Sequence, residues 1–218
     1  MQNKTHIYFM PGLAASSRIF EHIHLPEEKY ELHFLEWLMP ESTNESIENY
    51  CKRLSKNITH KNPVLVGVSF GAMIVQELTK FIKPQKIVVI SSIKNNHEMP
   101  RHFIFMQWTR IYKLFPSGRI SKLNGFPTFG LSRSLKRKME LYNKYLAVRD
   151  KVYLDWAIYN VLHWKSKDDT INIVHIHGSK DEIFPIKYIK NSIIIEGGTH
   201  AMIITKAKKI SQTLEELI

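Results

Sequence analysis

The sequence contains a single cysteine, Cys51, which excludes an intramolecular disulfide and a cysteine-rich zinc site. Glycine and proline occur nine times each, too rarely for a fibrous or low-complexity chain. No apolar run approaches the roughly 18 residues that a membrane helix requires. The N-terminal residues also show neither the apolar stretch nor the cleavage site of a secretory signal peptide. We therefore expect a soluble, cytoplasmic protein that binds no membrane.

The chain does contain enough apolar sequence for a packed core. Apolar residues make up 44% of the 218 positions and charged residues 23%, which is typical of a globular domain. This length suits one domain with an insertion better than it suits two full domains.

Positive charge is concentrated in the middle of the sequence. The net charge is +11, from 31 basic and 20 acidic residues. Residues 94–167 hold 15 basic and 4 acidic residues, so this segment alone accounts for the whole excess. Overall basicity could indicate nucleic-acid binding, but no nucleic-acid-binding motif accompanies it. A localised excess favours instead a positively charged surface or lid that attracts anionic molecules.

Short β-rich runs alternate along the chain with segments of helical periodicity. Six runs predict strands, at residues 6–10, 30–37, 63–68, 86–90, 171–177 and 192–195. Ser42 and Glu45 have the spacing of a capping box ahead of the first helical segment. The alternation predicts an α/β fold, with a mostly parallel, doubly wound sheet of about six strands and helices on both faces.

Residues 94–165 break this alternation. They are rich in aromatic and basic residues, have helical spacing and contain loop signals. We interpret them as a helical cap inserted into a core that comprises residues 1–93 and 166–218.

The segment Gly67–Gly71 has the pattern G-x-S-x-G and lies between a buried strand and a helix. In that context the pattern predicts a nucleophile elbow, with Ser69 on a sharp, strained turn above the sheet. The flanking glycines relieve clashes, and the helix N-terminus favours negative charge that develops beside the serine. The alternative is a glycine-rich turn without chemistry.

A serine hydroxyl is a poor nucleophile unless a base removes its proton and a carboxylate orients that base. His200 and Asp181 are the candidates, because each lies just past a predicted strand, where open α/β sheets bind their ligands. Glu182 is one residue from Asp181 and stays an alternative acid. Asp168 and Asp169 are more distant alternatives.

Neither a metal nor an organic cofactor is predicted, although the chain has eleven histidines. The pairs His22/His24 and His175/His177 could be metal ligands, but no acidic or cysteine partner stands at ligand spacing beside either pair. The histidines inside predicted strands are interpreted as packing residues and most others as surface or cap residues. The first group includes His6 and His33, and the second includes His60.

Four segments together resemble the α/β-hydrolase fold superfamily. They are residues 10–13 (Met-Pro-Gly-Leu), 67–71, 177–185 and 197–200 (Gly-Gly-Thr-His). The resemblance implies that Ser69 is the nucleophile, that His200 acts as general base and then acid, and that Asp181 orients His200.

The same resemblance implies an oxyanion hole formed by the backbone N–H groups of Leu13 and Phe70. Members of the superfamily often carry His-Gly where this chain has Pro11-Gly12, which affects the expected geometry of the Leu13 donor. Two antiparallel N-terminal strands that are common in the superfamily are also not predicted here. The resemblance therefore implies a compact member.

In this superfamily an insertion at the position of residues 94–165 forms a lid over the active site. Two sets of apolar residues are each spaced to line one side of a helix, namely Phe103, Phe105, Trp108, Tyr112 and Phe115, and Leu141, Tyr145, Val148 and Val152. Most are expected to pack the lid onto the body. Phe103, Trp108 and Tyr112 are predicted to contact the substrate in an apolar pocket.

The predicted activity is hydrolysis of a carboxylic ester or thioester through an acyl-enzyme. The basic cap suggests an anionic acyl substrate, including one linked to coenzyme A or to acyl carrier protein, as in a family member that demethylates a carrier-bound pimeloyl ester. Two alternatives stay open: a lyase or acyltransferase of this fold, and a non-catalytic ligand-binding protein. A haloalkane dehalogenase is disfavoured, because it needs a carboxylate at position 69.

Overall fold

The computed structural model describes residues 4–114, 117–120, 140, 144–166 and 173–218. One sheet of six parallel strands has the order β2-β1-β3-β4-β5-β6. The strands are β1 Thr5–Met10, β2 Tyr30–Phe34, β3 Val64–Val68, β4 Lys86–Ile90, β5 Ile173–Gly178 and β6 Ile193–Ile195. The predicted parallel α/β sheet is confirmed, and each predicted strand overlaps an observed one.

Helices cover both faces of this sheet. They are α1 Ile47–Leu54, α2 Phe70–Glu77, α3 Arg101–Thr109, α4 Ser117–Ile120, α5 Lys151–His163, α6 Met202–Thr205 and α7 Ala207–Leu217. Buried side chains of α1, α2 and α5 belong to one apolar cluster, and those of α6 and α7 belong to a second. The two clusters are the two sides of a doubly wound sheet.

The strands divide their side chains between the two clusters by simple alternation. Leu65 of β3 packs in the cluster with α1 and α2, whereas Val64 and Val66 pack in the cluster with α6 and α7. All five residues of β3 are buried. An unbroken apolar run is the pattern of a central strand that is covered on both faces, and this is why it lacks the polar alternation of an exposed sheet.

The capping box predicted at Ser42 and Glu45 is wrong. The N-cap of α1 lies four residues after Ser42, where Ser46 Oγ accepts the N–H of Asn49 at 3.1 Å. The carboxylate of Glu45 does not cap the helix but pairs with Arg53 at 2.8 Å. A serine nearer to the first buried helical residue therefore supplies the cap.

The first helical face predicted within the cap is also interrupted. Helix α3 ends at Thr109, because Arg110 adopts a left-handed backbone conformation with φ 57°. Phe103 and Tyr112 therefore lie in separate elements, the second of them in a 3₁₀ turn. Phe115 lies outside the described residues.

The second predicted face is divided at residues 147–150, which are not helical. Asp150 starts α5 there by accepting the N–H groups of Val152 and Tyr153 at 2.7 and 3.1 Å. Val148 thus precedes the helix to which Val152 belongs. Leu141 lies outside the described residues.

Helix α5 lies within the predicted cap range but packs into the body. Tyr153 and Trp156 are fully buried in the same apolar cluster as Tyr50 of α1. The indole of Trp156 also donates to the carbonyl oxygen of Glu45 at 2.9 Å. The cap boundaries at 94 and 165 stay a prediction.

Among the described residues, no helix combines the length and the apolar character needed to cross a membrane.

Candidate active site

Strand β3 joins α2 through a tight turn at Ser69. This serine has φ 53° and ψ −120°, a conformation that strains any residue with a side chain. Its N–H donates to the carbonyl oxygen of Ile90 at 2.9 Å, which ties the turn to the end of β4. The strand–turn–helix context that the sequence pattern requires is therefore present, with the serine at the carboxyl edge of the sheet.

Glycine is required on both sides of the serine by close backbone contacts. A Cβ atom at Gly67 would lie 2.4 Å from the Cα atom of Ala72, and one at Gly71 would lie 2.3 Å from the carbonyl oxygen of Pro11. Both distances are far below van der Waals contact. The G-x-S-x-G spacing thus reflects two places where the strand, the helix and the loop after β1 meet without side chains.

The three predicted catalytic residues are joined by hydrogen bonds through His200. His200 Nε2 lies 3.0 Å from Ser69 Oγ, and His200 Nδ1 lies 3.0 and 3.2 Å from the two carboxylate oxygens of Asp181. An ionised carboxylate only accepts hydrogen bonds, so Nδ1 of the neutral ring carries the proton and Nε2 accepts from the serine hydroxyl. The imidazole can therefore receive the serine proton.

Two glycines bring the acid and the histidine loops together. A Cβ atom at Gly178, at the end of β5, would lie 2.3 Å from the carbonyl oxygen of Gly198, in the loop after β6. That carbonyl oxygen also accepts the N–H of Lys180 at 2.8 Å. The loops that carry Asp181 and His200 thus touch backbone to backbone.

Asp181 is buried, with 4% of its surface exposed, and it is well supplied with donors. Its Oδ1 accepts the N–H groups of Ile183 and Phe184, each at 2.9 Å. Burial by itself raises the pKa of Asp181, but the hydrogen bond and charge of His200 and the Phe184 N–H outweigh burial and lower that pKa. The carboxyl group therefore stays ionised beside the imidazole.

The alternative acids can be compared with this arrangement. Glu182 is exposed, and within the described part of the chain it makes no hydrogen bond or ion pair with His200. Asp168 and Asp169 lie outside the described residues. The geometry therefore favours Asp181.

The predicted oxyanion donors lie next to the serine. Gly12 approaches so closely that a Cβ atom there would be 3.4 Å from the Cβ atom of Ser69. Phe70 is the first residue of α2. Among the described residues, the N–H groups of Leu13 and Phe70 donate no hydrogen bond. Both are available to a bound oxyanion, and this role stays a prediction.

Two residues that the sequence analysis missed hold the loop after β1. Trp37 donates its indole N–H to the carbonyl oxygen of Gly12 at 3.0 Å, and Tyr153 accepts the N–H of Ala14 at 3.0 Å. Ala14 has a left-handed φ of 61°, so the loop needs such support. The only sequence signal for Trp37 is its position just beyond β2, and Tyr153 has none.

The three predicted substrate-binding aromatics differ in their surroundings. Phe103 packs edge-on against Phe184 with ring centroids 5.4 Å apart, and Phe184 lies 5.8 Å from the ring of His200. Trp108 is 81% exposed. Tyr112 contacts the rings of Tyr159 and His163.

Within the described residues, ring contacts connect Phe103 to His200 through Phe184 and connect neither Trp108 nor Tyr112 to it. Substrate binding by all three stays a prediction.

No protein-family model and no curated protein matches the sequence. Solved structures match nearly the whole chain. A carboxylesterase of the thaumarchaeon Nitrososphaera gargenis has a TM-score of 0.69 at 13% identity, covering 99% of this chain and 90% of that one. A lipase-esterase related protein from Clostridium acetobutylicum ATCC 824 has a TM-score of 0.65 at 17% identity, covering 100% and 96%.

An epoxide hydrolase described as belonging to the alpha/beta hydrolases superfamily, from metagenomes of hot environments, has a TM-score of 0.69 at 10% identity. The match covers 98% of this chain and 90% of that one. Identities this low are evidence for the fold and not for the reaction. Together with the six-stranded parallel sheet and the strained serine turn after β3, these matches show that the chain has the α/β-hydrolase fold.

Proposed function

We propose that the protein is a serine hydrolase that cleaves a carboxylic ester or thioester. The observation that carries the proposal is the continuous hydrogen-bonded series of Ser69, His200 and Asp181, with 3.0 Å at each step. Structural neighbours described as a carboxylesterase, a lipase-esterase related protein and an epoxide hydrolase are compatible with hydrolysis without identifying the substrate.

The first half of the reaction forms an acyl-enzyme. Ser69 Oγ attacks the carbonyl carbon while its proton passes to His200 Nε2, and Asp181 stabilises the imidazolium that results. Charge that develops on the carbonyl oxygen is stabilised by the N–H groups of Leu13 and Phe70 and by the N-terminus of α2. The tetrahedral intermediate collapses, and the leaving alcohol or thiol takes the proton from His200.

The second half regenerates the enzyme. Water attacks the acyl carbonyl carbon and gives a proton to His200 Nε2. Collapse of the second intermediate releases the carboxylic acid and returns that proton to Ser69 Oγ. The bond between Ser69 Oγ and the acyl group forms in the first half and is broken in the second, so the triad ends as it began and needs no cofactor.

The substrate is proposed to carry an acyl chain and negative charge. Phe103 is partly exposed and packs against the buried ring of Phe184, which lies beside His200, so Phe103 offers aromatic surface near the triad. Trp108 and Tyr112 keep their proposed role in binding the substrate. The positive excess of residues 94–167 would concentrate an anionic ester or thioester, such as one linked to coenzyme A or to acyl carrier protein. A cytoplasmic location fits these substrates and is part of the proposal.

Ser69→Ala provides the direct test. We expect the wild type to hydrolyse a short-chain p-nitrophenyl ester and to react with a fluorophosphonate probe. The folded variant should lose at least about 10⁴-fold in kcat and all labelling. Ser42→Ala, at an exposed serine far along the chain from the triad, is the control and should behave as the wild type.

Other outcomes separate the remaining alternatives. Turnover by a folded Ser69→Ala variant would refute the assignment of the nucleophile. A wild type that binds ligands but neither turns over nor reacts with the probe would favour a non-catalytic binding protein. In ¹⁸O-labelled water, a hydrolase places the label in the product acid, whereas a lyase or acyltransferase does not.

A further inference from the structure

Three histidines that are far apart in the sequence meet at one edge of the sheet. His6 lies near the start of β1, His33 lies on the edge strand β2, and His60 lies in the loop before β3. One ring nitrogen of each lies within 4.8 Å of the others. Among the residues that the structure describes, this is the only group of at least three His, Cys, Asp or Glu side chains with ligand atoms so close together.

Strand register explains the meeting. His6 pairs with Glu31 and Tyr8 pairs with His33 along the parallel β1–β2 ladder. Because side chains alternate between the faces of a sheet, these four point to the same face. His6 lies near the amino end of its strand, whereas Ser69 follows the carboxyl end of β3. The histidine group is therefore separate from the candidate active site.

One nitrogen–nitrogen distance within the group is close to that of a metal site. His6 Nδ1 lies 3.1 Å from His33 Nε2. Two nitrogens bound tetrahedrally to one zinc ion at their usual bond length are about 3.3 Å apart. Oxygens of the Glu31 carboxylate lie 3.7 Å from His6 Nδ1 and 3.6 Å from His33 Nε2, which places a fourth potential ligand beside the rings.

We propose that His6, His33, His60 and Glu31 bind one divalent late transition-metal ion, with Zn²⁺ as the test ion. Neutral imidazoles with a carboxylate are a donor set that suits Zn²⁺ and its neighbours. The ion would join the edge strand β2 to β1 and to the loop before β3, which ties three separate parts of the chain together. This site does not depend on the proposed hydrolase activity.

Tyr8 is positioned to orient one of the ligands. Its hydroxyl oxygen lies 2.6 Å from His60 Nδ1. When the phenol accepts the Nδ1–H, Nε2 of His60 has a free lone pair for the metal, an arrangement typical of the groups that support metal-bound histidines. The rings of His6 and His60 are stacked with centroids 3.5 Å apart. Binding would turn one ring out of the stack so that its nitrogen faces the ion.

Isothermal titration with ZnCl₂, on protein freed of any affinity tag, tests the proposal. We expect one equivalent to bind to the wild type. His33→Gln and Glu31→Gln should each weaken binding by at least about 10-fold. Even residues that only hydrogen-bond to a metal ligand change metal affinity by about 10- to 100-fold. The double variant His22→Gln/His24→Gln, which removes two exposed histidines, is the control and should bind as the wild type.

A second measurement covers the case in which a variant fails to fold. Histidine ring resonances of the wild type can be followed by NMR as Zn²⁺ is added, and those of His6, His33 and His60 should shift together at one equivalent. Absence of stoichiometric binding, or shifts confined to other histidines, would leave only a hydrogen-bonded histidine stack and refute the site. Ser69→Ala should bind Zn²⁺ as the wild type does, so this test is independent of the hydrolase test.

Discussion

The imidazole of His177 donates its Nε2–H to the carbonyl oxygen of Phe184 at 2.8 Å. A carbonyl oxygen only accepts, so Nδ1 of the neutral ring is unprotonated and accepts the Nε2–H of His175 at 3.2 Å. The N–H of Phe184 in turn donates to the Asp181 carboxylate at 2.9 Å. His177 thus connects strand β5 to the loop that carries Asp181, the carboxylate that faces His200.

Stability should fall as the pH drops below about 6.5. Burial, reinforced by electrostatic repulsion from His177 and Lys94, lowers the pKa of His175 from 6.5 to about 2, and burial lowers the pKa of His177 as well. Below pH about 6.5, His175 and His177 bind protons in the unfolded chain but stay neutral in the folded chain. The stabilisation is therefore complete above the unfolded pKa and is lost as the pH falls toward the folded pKa, by up to about 1.4 kcal/mol per pH unit for His175.

Urea unfolding between about pH 7 and pH 5 measures this loss. His175→Gln, whose amide can still donate to His177, should reduce the pH slope of the unfolding free energy by about one proton. His97→Gln, at an exposed position, is the control. An unchanged slope in His175→Gln would show that this ring titrates alike in the folded and unfolded chain.

Asp181→Asn should reduce kcat by about 10⁴-fold, because an amide favours the wrong tautomer of His200. Glu182→Gln, one residue away and exposed, should retain wild-type activity. Steady-state kinetics on a p-nitrophenyl ester compares the two variants. Loss of activity in Glu182→Gln with retention in Asp181→Asn would exchange the roles of the two acids.

Ser69→Gly should be more stable than Ser69→Ala, although both lack the nucleophile. Alanine keeps the Cβ atom that strains the turn at φ 53°, at a cost of roughly 1–3 kcal/mol. Glycine removes that strain but loses about 0.5–1 kcal/mol of backbone entropy. We expect a difference of about 1 kcal/mol in the free energy of unfolding. Equal stabilities, or a more stable alanine variant, would show that the turn stores no strain.

Tyr153→Phe should lower both stability and turnover. The buried N–H of Ala14 loses its acceptor, which costs about 1–3 kcal/mol of unfolding free energy. Because Ala14 adjoins the proposed oxyanion donor Leu13, kcat should fall more than KM rises. Tyr159→Phe, on an exposed position of the same helix, is the matched control. Similar losses in both variants would argue against a specific role for the Tyr153 hydroxyl.

Salt should weaken turnover of anionic substrates selectively. Positive charge in residues 94–167 is proposed to accelerate capture of an anionic ester. Raising the ionic strength from about 0.1 M to 1 M shortens the Debye length from about 10 Å to 3 Å. The value of kcat/KM should fall for a p-nitrophenyl monoester of a dicarboxylic acid. It should stay constant for the same compound with its free acid methylated. Equal salt responses would remove the proposed preference for anions.

The sequence by itself determined the sheet, its parallel direction and the serine turn. Runs such as Val64–Val68 and the glycines at 67 and 71 act through local properties, namely strand-forming side chains and backbone contacts that leave no room for a Cβ atom. Those properties are encoded within a few neighbouring residues. The sequence order also placed Asp181 and His200 just after the carboxyl ends of strands, where open α/β sheets bind their ligands.

Only the tertiary structure decided which of these groups touch. The anchoring of the loop after β1 by Trp37 and Tyr153 joins residues far apart in sequence, as does the meeting of His6, His33 and His60. Such contacts depend on strand register and on the packing of whole elements, which no short pattern records. The helical face predicted over Phe103–Phe115 differs from the observed helix for a local reason. A single left-handed residue, Arg110, ends α3 although the apolar spacing continues past it.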